Sequence, residues 1–313
     1  MVKIALAGGT SEVGHEILDA LVATGKHDIT LLSRQNTTPE DAVDGTTWVK
    51  VDYQDHQTLV HALQGVHTVL SFVDAPRDQD GAAQKALIDA AVAAGVKRFA
   101  PSVADSLQAP PHYLRELNKD KKVLEYSLFQ CGLFLNYLGY PHKTTKHMAL
   151  FESCLDLEHR RDIVFEGYDQ PGTAAGRISL VTVQDLAAIM ARTVESDGEW
   201  PRVGGLHANA TTLAELLALV KKIKGKPFQV ETLKLDDLRA MHITSSRVPM
   251  VPHRSVPPGM VERFSRMFLS NIFLKISAAD GGWGVSDEWN SIFPDHEFTS
   301  IEAFLTEVCA GKE

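Results

Sequence analysis

The hydrophobic positions of the N-terminal part of the chain alternate between two periods. Near-continuous apolar runs at 3–7, 28–32, 48–51, 68–73 and 98–101 each end in turn residues, as strands buried on both faces do. Between them lie stretches with helical spacing. These are 12–24, with Ile17, Leu18, Leu21 and Val22 on one face, then 57–63, then 82–94, closed by Gly95 where helix C-termini favour glycine. Such alternation predicts a doubly wound α/β fold, with a parallel sheet covered by helices on both faces.

From Tyr126 onward the pattern loosens. Residues 126–130 read as a sixth strand and 182–194 as a helix with Asp185 in its first turn and Leu186, Ile189 and Met190 inward. Further on come a short strand near Leu206, a helix that Thr211 or Thr212 caps with Glu215 near N3, and a strand at 228–232. The proline-rich, aperiodic stretch 245–260 reads as a long loop across a cleft, followed by helices at 261–276 and 300–308. A length of 313 residues, at roughly 150 per domain, fits two domains. The expected division is a sheet domain at 1–152 and a smaller α+β cap at 153–313, partly interleaved with the sheet.

Composition removes several classes of function. Lys and Arg total 31 against 40 Asp and Glu, a net charge of −9, and no basic run stands ready to neutralise a phosphate backbone. Direct nucleic-acid binding is therefore not expected. Hydrophobic residues at 44% and charged residues at 23% are those of a globular protein. No apolar stretch reaches the ~18 residues of a membrane span, and the chain enters a strand-like run directly after Met1 without a signal-peptide layout. The expected location is cytoplasmic. Cys131, Cys154 and Cys309 form no CxxC pair, and the 13 histidines include no HExxH, so neither a disulfide framework nor a metal site is expected. Cys131 reads as a small buried hydrophobe.

The run Ala7-Gly8-Gly9-Thr10-Ser11-Glu12-Val13-Gly14 joins the first strand to the first helix, the context of a dinucleotide-binding loop. Gly8 permits the tight turn, the backbone around Thr10, Ser11, Glu12 and Val13 faces a pyrophosphate at the helix N-terminus, and Gly14 lets helix and strand pack closely. Ser11 stands at the middle position, where a glycine is usual, which leaves its hydroxyl to donate to phosphate. The alternative is a merely tight β–α turn. After the second strand, where an acidic residue would hold an NAD ribose, the chain has Arg34. A guanidinium there suits a 2′-phosphate, so the expected cofactor is NADP(H); the bland alternative is a solvated post-strand residue. Asp52 is expected near adenine, and Ser71, Phe72 and Val73 along the wall toward nicotinamide.

Ligands of open α/β sheets lie beyond the carboxyl ends of the strands, which directs attention to Ser102 after the fifth strand. A short-chain dehydrogenase would follow it with Tyr-x-x-x-Lys, the tyrosine protonating a carbonyl and the lysine lowering its pKa. Tyr113 is suitably spaced, but Leu117 occupies the lysine position. Lys119 is the candidate substitute, set against its reading as part of a solvated helix end. Phe134, Tyr137, Tyr140 and His142 are the candidates for a substrate pocket, with a surface loop as the alternative for the polar members.

Several of these segments together resemble the NmrA-like family of fungi, related to isoflavone reductase-like atypical short-chain dehydrogenases. They are Gly8-Gly9-Thr10, the run Ala94-Gly95-Val96-Lys97-Arg98-Phe99 into Pro101-Ser102, Glu125 to Gln130 leading to Gly132-Leu133-Phe134-Leu135-Asn136-Tyr137, and Thr182 to Ala187. Further matches lie at Gly198-Glu199-Trp200-Pro201, Lys224 to Phe228 and Val285 to Asn290, so the likeness runs through nearly the whole chain. The resemblance implies a Rossmann domain, a small substrate domain, and NADP bound at the glycine loop and Arg34. It implies two kinds of role, reduction of small substrates and dinucleotide sensing that regulates a partner protein. The chain departs from the pattern at Ser11, at Val103-Ala104-Asp105, and at Gln108-Ala109-Pro110-Pro111, where reductase relatives carry a lysine.

Three functions follow as expectations. The first is an NADP(H)-dependent oxidoreductase acting on a small organic carbonyl or conjugated substrate, in secondary metabolism. The second is a redox sensor of the NmrA type with a regulatory protein partner. The third is a non-redox cyclase, isomerase or lyase on the same fold.

Overall fold

The computed structural model describes residues 1–36, 43–73, 78–101, 109–170, 176–253, 255–278 and 282–310. Six strands, β1 (Lys3–Ala7), β2 (Asp28–Ser33), β3 (Thr46–Lys50), β4 (Thr68–Ser71), β5 (Arg98–Ala100) and β6 (Glu125–Tyr126), form one parallel sheet in the order β3-β2-β1-β4-β5-β6. The intervening helices are α1 (Glu12–Ala23), α2 (His56–Ala62), α3 (Ala82–Ala93) and α4 (Ala109–Leu117). This is the doubly wound Rossmann arrangement, whose strand order reverses between β1 and β4.

The sheet forms because its central strands, β1 and β4, have no polar face to give to water. Ile4, Ala5, Leu6 and Ala7 of β1 are wholly buried. Ala5 and Ala7 join one core with Leu59, Leu87, Phe99 and Leu114, while Ile4 and Leu6 alternate to the opposite face. α1 presents Ile17, Leu18 and Leu21, all inaccessible to solvent, and each such side chain contributes about 1.5–3 kcal/mol on burial. α4 carries Pro110 and Pro111 in its first turn, where an absent N–H removes no hydrogen bond.

The remaining elements are β7 (Leu128–Cys131), β8 (Leu133–Phe134), β9 (Arg161–Phe165), β10 (Arg177–Val181), α5 (Val183–Glu195), β11 (Val203–Leu206), β12 (Asn209–Thr212), α6 (Leu213–Lys224), β13 (Gln229–Leu233), α7 (Leu235–Arg239), α8 (Val261–Ile276), α9 (Glu288–Ile292) and α10 (Ile301–Cys309). The single sixth strand expected at 126–130 is two strands. β6 leaves the sheet after Tyr126, the Ser127 amide donates to Phe99 O, and β7 pairs instead with β11.

Two compact units result, each discontinuous in sequence. The first comprises Met1–Gln130, Leu186–Leu206 and Ser286–His296; the second comprises Cys131–Asp185, His207–Val285 and Glu297–Glu313. The first unit thus ends its leading segment well before the boundary expected near residue 152, because Leu133 and Phe134 pair with Leu180 and Val181 of β10. The second unit is also nearly as large as the first.

Within the first unit, Trp289 is fully buried and stacks on Phe129 with ring centroids 5.0 Å apart, while Trp200 meets it edge-on at 6.1 Å. Buried Arg98 donates to Glu125 Oε1 at 2.9 Å and to the carbonyls of Ser196 and Gly198, its guanidinium lying over Trp200.

The second unit holds the sheet β12-β10-β8 and the parallel pair β13-β9, packed with α6, α8 and α10 around Leu216, Leu217, Phe273 and Leu305. α6 starts in the predicted capping box between Thr212 and Glu215. Asn136 is its polar hub: Oδ1 accepts from the Val183 amide at 2.8 Å, and Nδ2 donates to Thr144 O and Gln184 Oε1. Residues 245–253 and 255–257 have no regular structure, as their prolines predicted. Among the described residues, no helix is long and apolar enough to cross a membrane.

Candidate functional site

The loop after β1 is built around backbone contact. Gly8 has φ +70°, and a Cβ on it would lie 2.5 Å from Phe72 O, so any side chain would strike the chain leaving β4. Phe72 N donates to Ala7 O at 2.7 Å and Ser11 N to Gly8 O at 2.9 Å, closing the turn. Gly14 lies in the first turn of α1, where a Cβ would come within 2.6 Å of Gly8 O and 2.7 Å of Ser11 Oγ. Loop and helix therefore meet with no side chain between them. The first-turn amides of a helix have no intrahelical acceptor and carry the positive end of its dipole, and these sit where the sheet order reverses.

Ser11 has a structural task beside the one expected. It is the N-cap of α1, with Oγ accepting from the Gly14 amide at 3.2 Å; the hydroxyl proton remains to be donated. Thr10 and Glu12 are exposed and Val13 is half-buried. Arg34 follows directly on β2 and is exposed, without an ion-pair partner among the described residues. Burial pushes the nearby Tyr53 phenol up to about 12, an effect that the Arg34 guanidinium opposes. Asp52 accepts from the Gln54 amide at 2.9 Å. Ser71 is buried and donates to Gln84 Oε1 at 3.3 Å, while Phe72 and Val73 continue half-buried from the end of β4.

Two of the proposed proton-transfer residues are described, and each meets a carboxylate. Ser102 lies outside the described residues, as do Val103, Ala104, Asp105 and Gln108. Tyr113 projects from α4 and donates to Asp89 Oδ1 of α3 at 2.5 Å. That hydrogen bond, with some burial, pushes its phenol up to about 12. Lys119 is exposed and 3.4 Å from Glu116. Cys131 and Cys154 are free thiols raised by burial to about 11 and 12 respectively, which keeps them protonated and unreactive at neutral pH.

The four pocket candidates divide. The rings of Phe134 and Tyr137 are 6.2 Å apart, and Tyr137 packs on Phe151 at 4.2 Å. Tyr140 and His142 instead line a separate depression of about 150 Å³ with Leu157, Glu158, Lys224 and Cys309. Tyr137 belongs to an apolar cavity of about 90 Å³ inside the second unit, with Phe151, Leu213, Phe268 and Phe273 in its walls. The cavity contains one residue that sequence reasoning missed, Asp162 of β9, whose carboxyl burial raises to about 7. Its signal in the sequence is faint, a single acid in the apolar run Arg161-Asp162-Ile163-Val164-Phe165.

Residues 2–305 match the NmrA-like family. Oxidoreductase swnN of Metarhizium robertsii is 28% identical, over 97% of this chain and 96% of that protein. Among solved structures, an NADPH-dependent quinone oxidoreductase from Escherichia coli complexed with NADPH aligns with a TM-score of 0.66 at 24% identity, covering 97% of this chain and 99% of that one. Triphenylmethane reductase of Citrobacter sp., complexed with NADP(H), aligns with a TM-score of 0.67 at 18% identity, again covering 97% and 99%. At such identities the two structures bear on the fold alone. The family match extends from β1 into α10 and takes in both units: the chain belongs to the NmrA-like family.

Proposed function

We propose that the chain is an NADP(H)-dependent reductase of a small organic carbonyl or conjugated substrate. The observation that carries this reading is the side-chain-free contact of Gly8 with Phe72 and of Gly14 with Gly8, placed at the reversal of the strand order. A cradle that any Cβ would fill fits a pyrophosphate approached by backbone amides. Arg34 and the end of β2 fit the 2′-phosphate that separates NADP from NAD. The Ser11 hydroxyl supplies a further donor without displacing the helix cap. Bound there, the cofactor supplies hydride to an electrophilic carbon, while the chain holds it in place and excludes water. That a relative spanning nearly the whole chain is an oxidoreductase supports the same reading.

The test is a pair of titrations followed by turnover. NADPH should bind at least about tenfold more tightly than NADH, as loss of a charge-assisted pair implies, and should be oxidised with some member of a panel of quinones, enones and aldehydes. Equal affinity for the two nucleotides, or none for either, overturns the cofactor assignment. Binding without turnover on any substrate favours the second reading, a dinucleotide sensor that acts through a protein partner. One observation favours that reading: the Tyr113 hydroxyl is engaged by Asp89 and Lys119 by Glu116, which leaves no proton donor assigned.

A further inference from the structure

The cavity of the second unit combines an apolar wall with an uncompensated acid. Leu213, Leu217, Ile276 and Phe273 enclose it with the Tyr137–Phe151 pair, and Asp162 reaches it from β9. Asp162 is 7% exposed. Its carboxyl accepts from the Ile163 amide, but among the described residues no cation lies within ion-pair distance of it. Two cations stand farther off, Arg247 in the segment ahead of α8 and Lys221 on α6. Arg247 is spent elsewhere, pairing with Asp156 and donating to the carbonyls of Ser153 and Cys154. Arg161 of β9 likewise pairs with Asp156. The other titratable groups beside Asp162 are Cys154 and Tyr168, both neutral, and a second acid, Glu152, also lines the cavity. No lysine, arginine or histidine is in its described walls.

A carboxylate taken out of water without a counter-ion is disfavoured by several kcal/mol unless a partner arrives. The same cavity presents aromatic faces, which attract cations, and apolar walls, which attract hydrocarbon. We propose that this cavity is a binding site for a compact apolar amine, whose ammonium group Asp162 receives from the wall while the hydrocarbon fills the space among the leucines and phenylalanines. The volume of about 90 Å³ limits the occupant to a small ring or a short branched chain. Occupancy of this cavity requires neither nucleotide nor turnover.

The test uses the intact protein and cyclopentylamine, with cyclopentanol as its neutral counterpart, measured by calorimetry. The amine should bind and the alcohol should bind at least about tenfold more weakly at pH 8, since one charge-assisted contact is lost. Amine affinity should rise with pH through about 7, as Asp162 ionises and the ammonium persists, by up to about tenfold per pH unit below that point. Asp162→Asn keeps the shape, and should lower amine affinity roughly 10–100-fold and abolish the pH dependence, with a thermal unfolding transition confirming that the variant is folded. Tighter binding of the alcohol, unchanged binding to the Asn variant, affinity that falls as pH rises through 7, or no binding of either compound at millimolar concentration overturns the proposal.

Discussion

A Cβ on Gly14 would lie 2.6 Å from the carbonyl oxygen of Gly8. In an ordinary helix, replacing glycine by alanine gains about 1 kcal/mol. Here the new methyl meets backbone on one side and the capping Ser11 hydroxyl on the other, and overpacking of that kind costs about 1–3 kcal/mol. Gly14→Ala should therefore lower stability in urea unfolding and weaken NADPH binding by about tenfold or more, because the loop can only yield by moving away from the helix end. A variant more stable than the parent would contradict this account of the loop.

Arg34 separates the two nicotinamide nucleotides in the proposed site. Arg34→Glu should weaken NADPH binding by roughly 10–100-fold while leaving NADH within about threefold, as read by nucleotide fluorescence. Equal losses for both nucleotides would place Arg34 at the shared pyrophosphate or adenine instead.

Tyr113→Phe separates structure from chemistry. A tyrosine that donates the reaction's proton is worth about 10²–10⁴ in rate, whereas one held by Asp89 is worth a half-exposed hydrogen bond. The expected outcome is turnover within about twofold of the parent and a stability loss of ~1 kcal/mol or less. A hundredfold drop in kcat would return Tyr113 to the reaction.

The ionisation of Asp162 has a definite sign in stability. Its folded pKa, about 7, lies above the ~3.9 of an unfolded aspartate. Between these values the folded chain binds the extra proton, so this group's contribution is fully present below about pH 4 and is lost as pH rises through 7. Glu231, Asp156 and Glu125 are shifted downward and act with the opposite slope, which is why the comparison must be between proteins. Asp162→Asn should gain stability relative to the parent as pH rises from 5 to 8, by at most ~3 kcal/mol. A constant difference across that range would mean that Asp162 does not titrate there.

The six-stranded sheet was readable because parallel strands buried on both faces leave unbroken apolar runs, and Ile4–Ala7 is such a run. The capping box at Thr212 was readable because it is a local hydrogen-bond pattern. What stayed hidden depends on distant partners. β8 has only two residues and exists by pairing with Leu180 and Val181. α4 was masked by Pro110-Pro111, which look like a break but occupy a first turn that needs no donor. At the candidate site, Gly8, Gly14 and Arg34 were visible in one segment with fixed spacing. Asp162 became notable only once Tyr137, Phe151 and Phe273 from separate parts of the chain had enclosed it.

The first unit is finished by residues more than 150 positions beyond its leading segment, Ser286–His296. Trp289, which stacks on Phe129, emerges in synthesis long after β1 to β6. The nascent sheet must therefore wait, with Phe129 and Trp200 uncovered, until Trp289 has been made. Long sequence separation of this kind slows folding and leaves apolar surface open to other chains in the interval. A shortened chain ending before Ser286 would keep every glycine of the nucleotide loop yet lack the indole that covers this aromatic cluster. Recombinant production of the isolated N-terminal half should accordingly yield aggregate rather than a free nucleotide-binding domain.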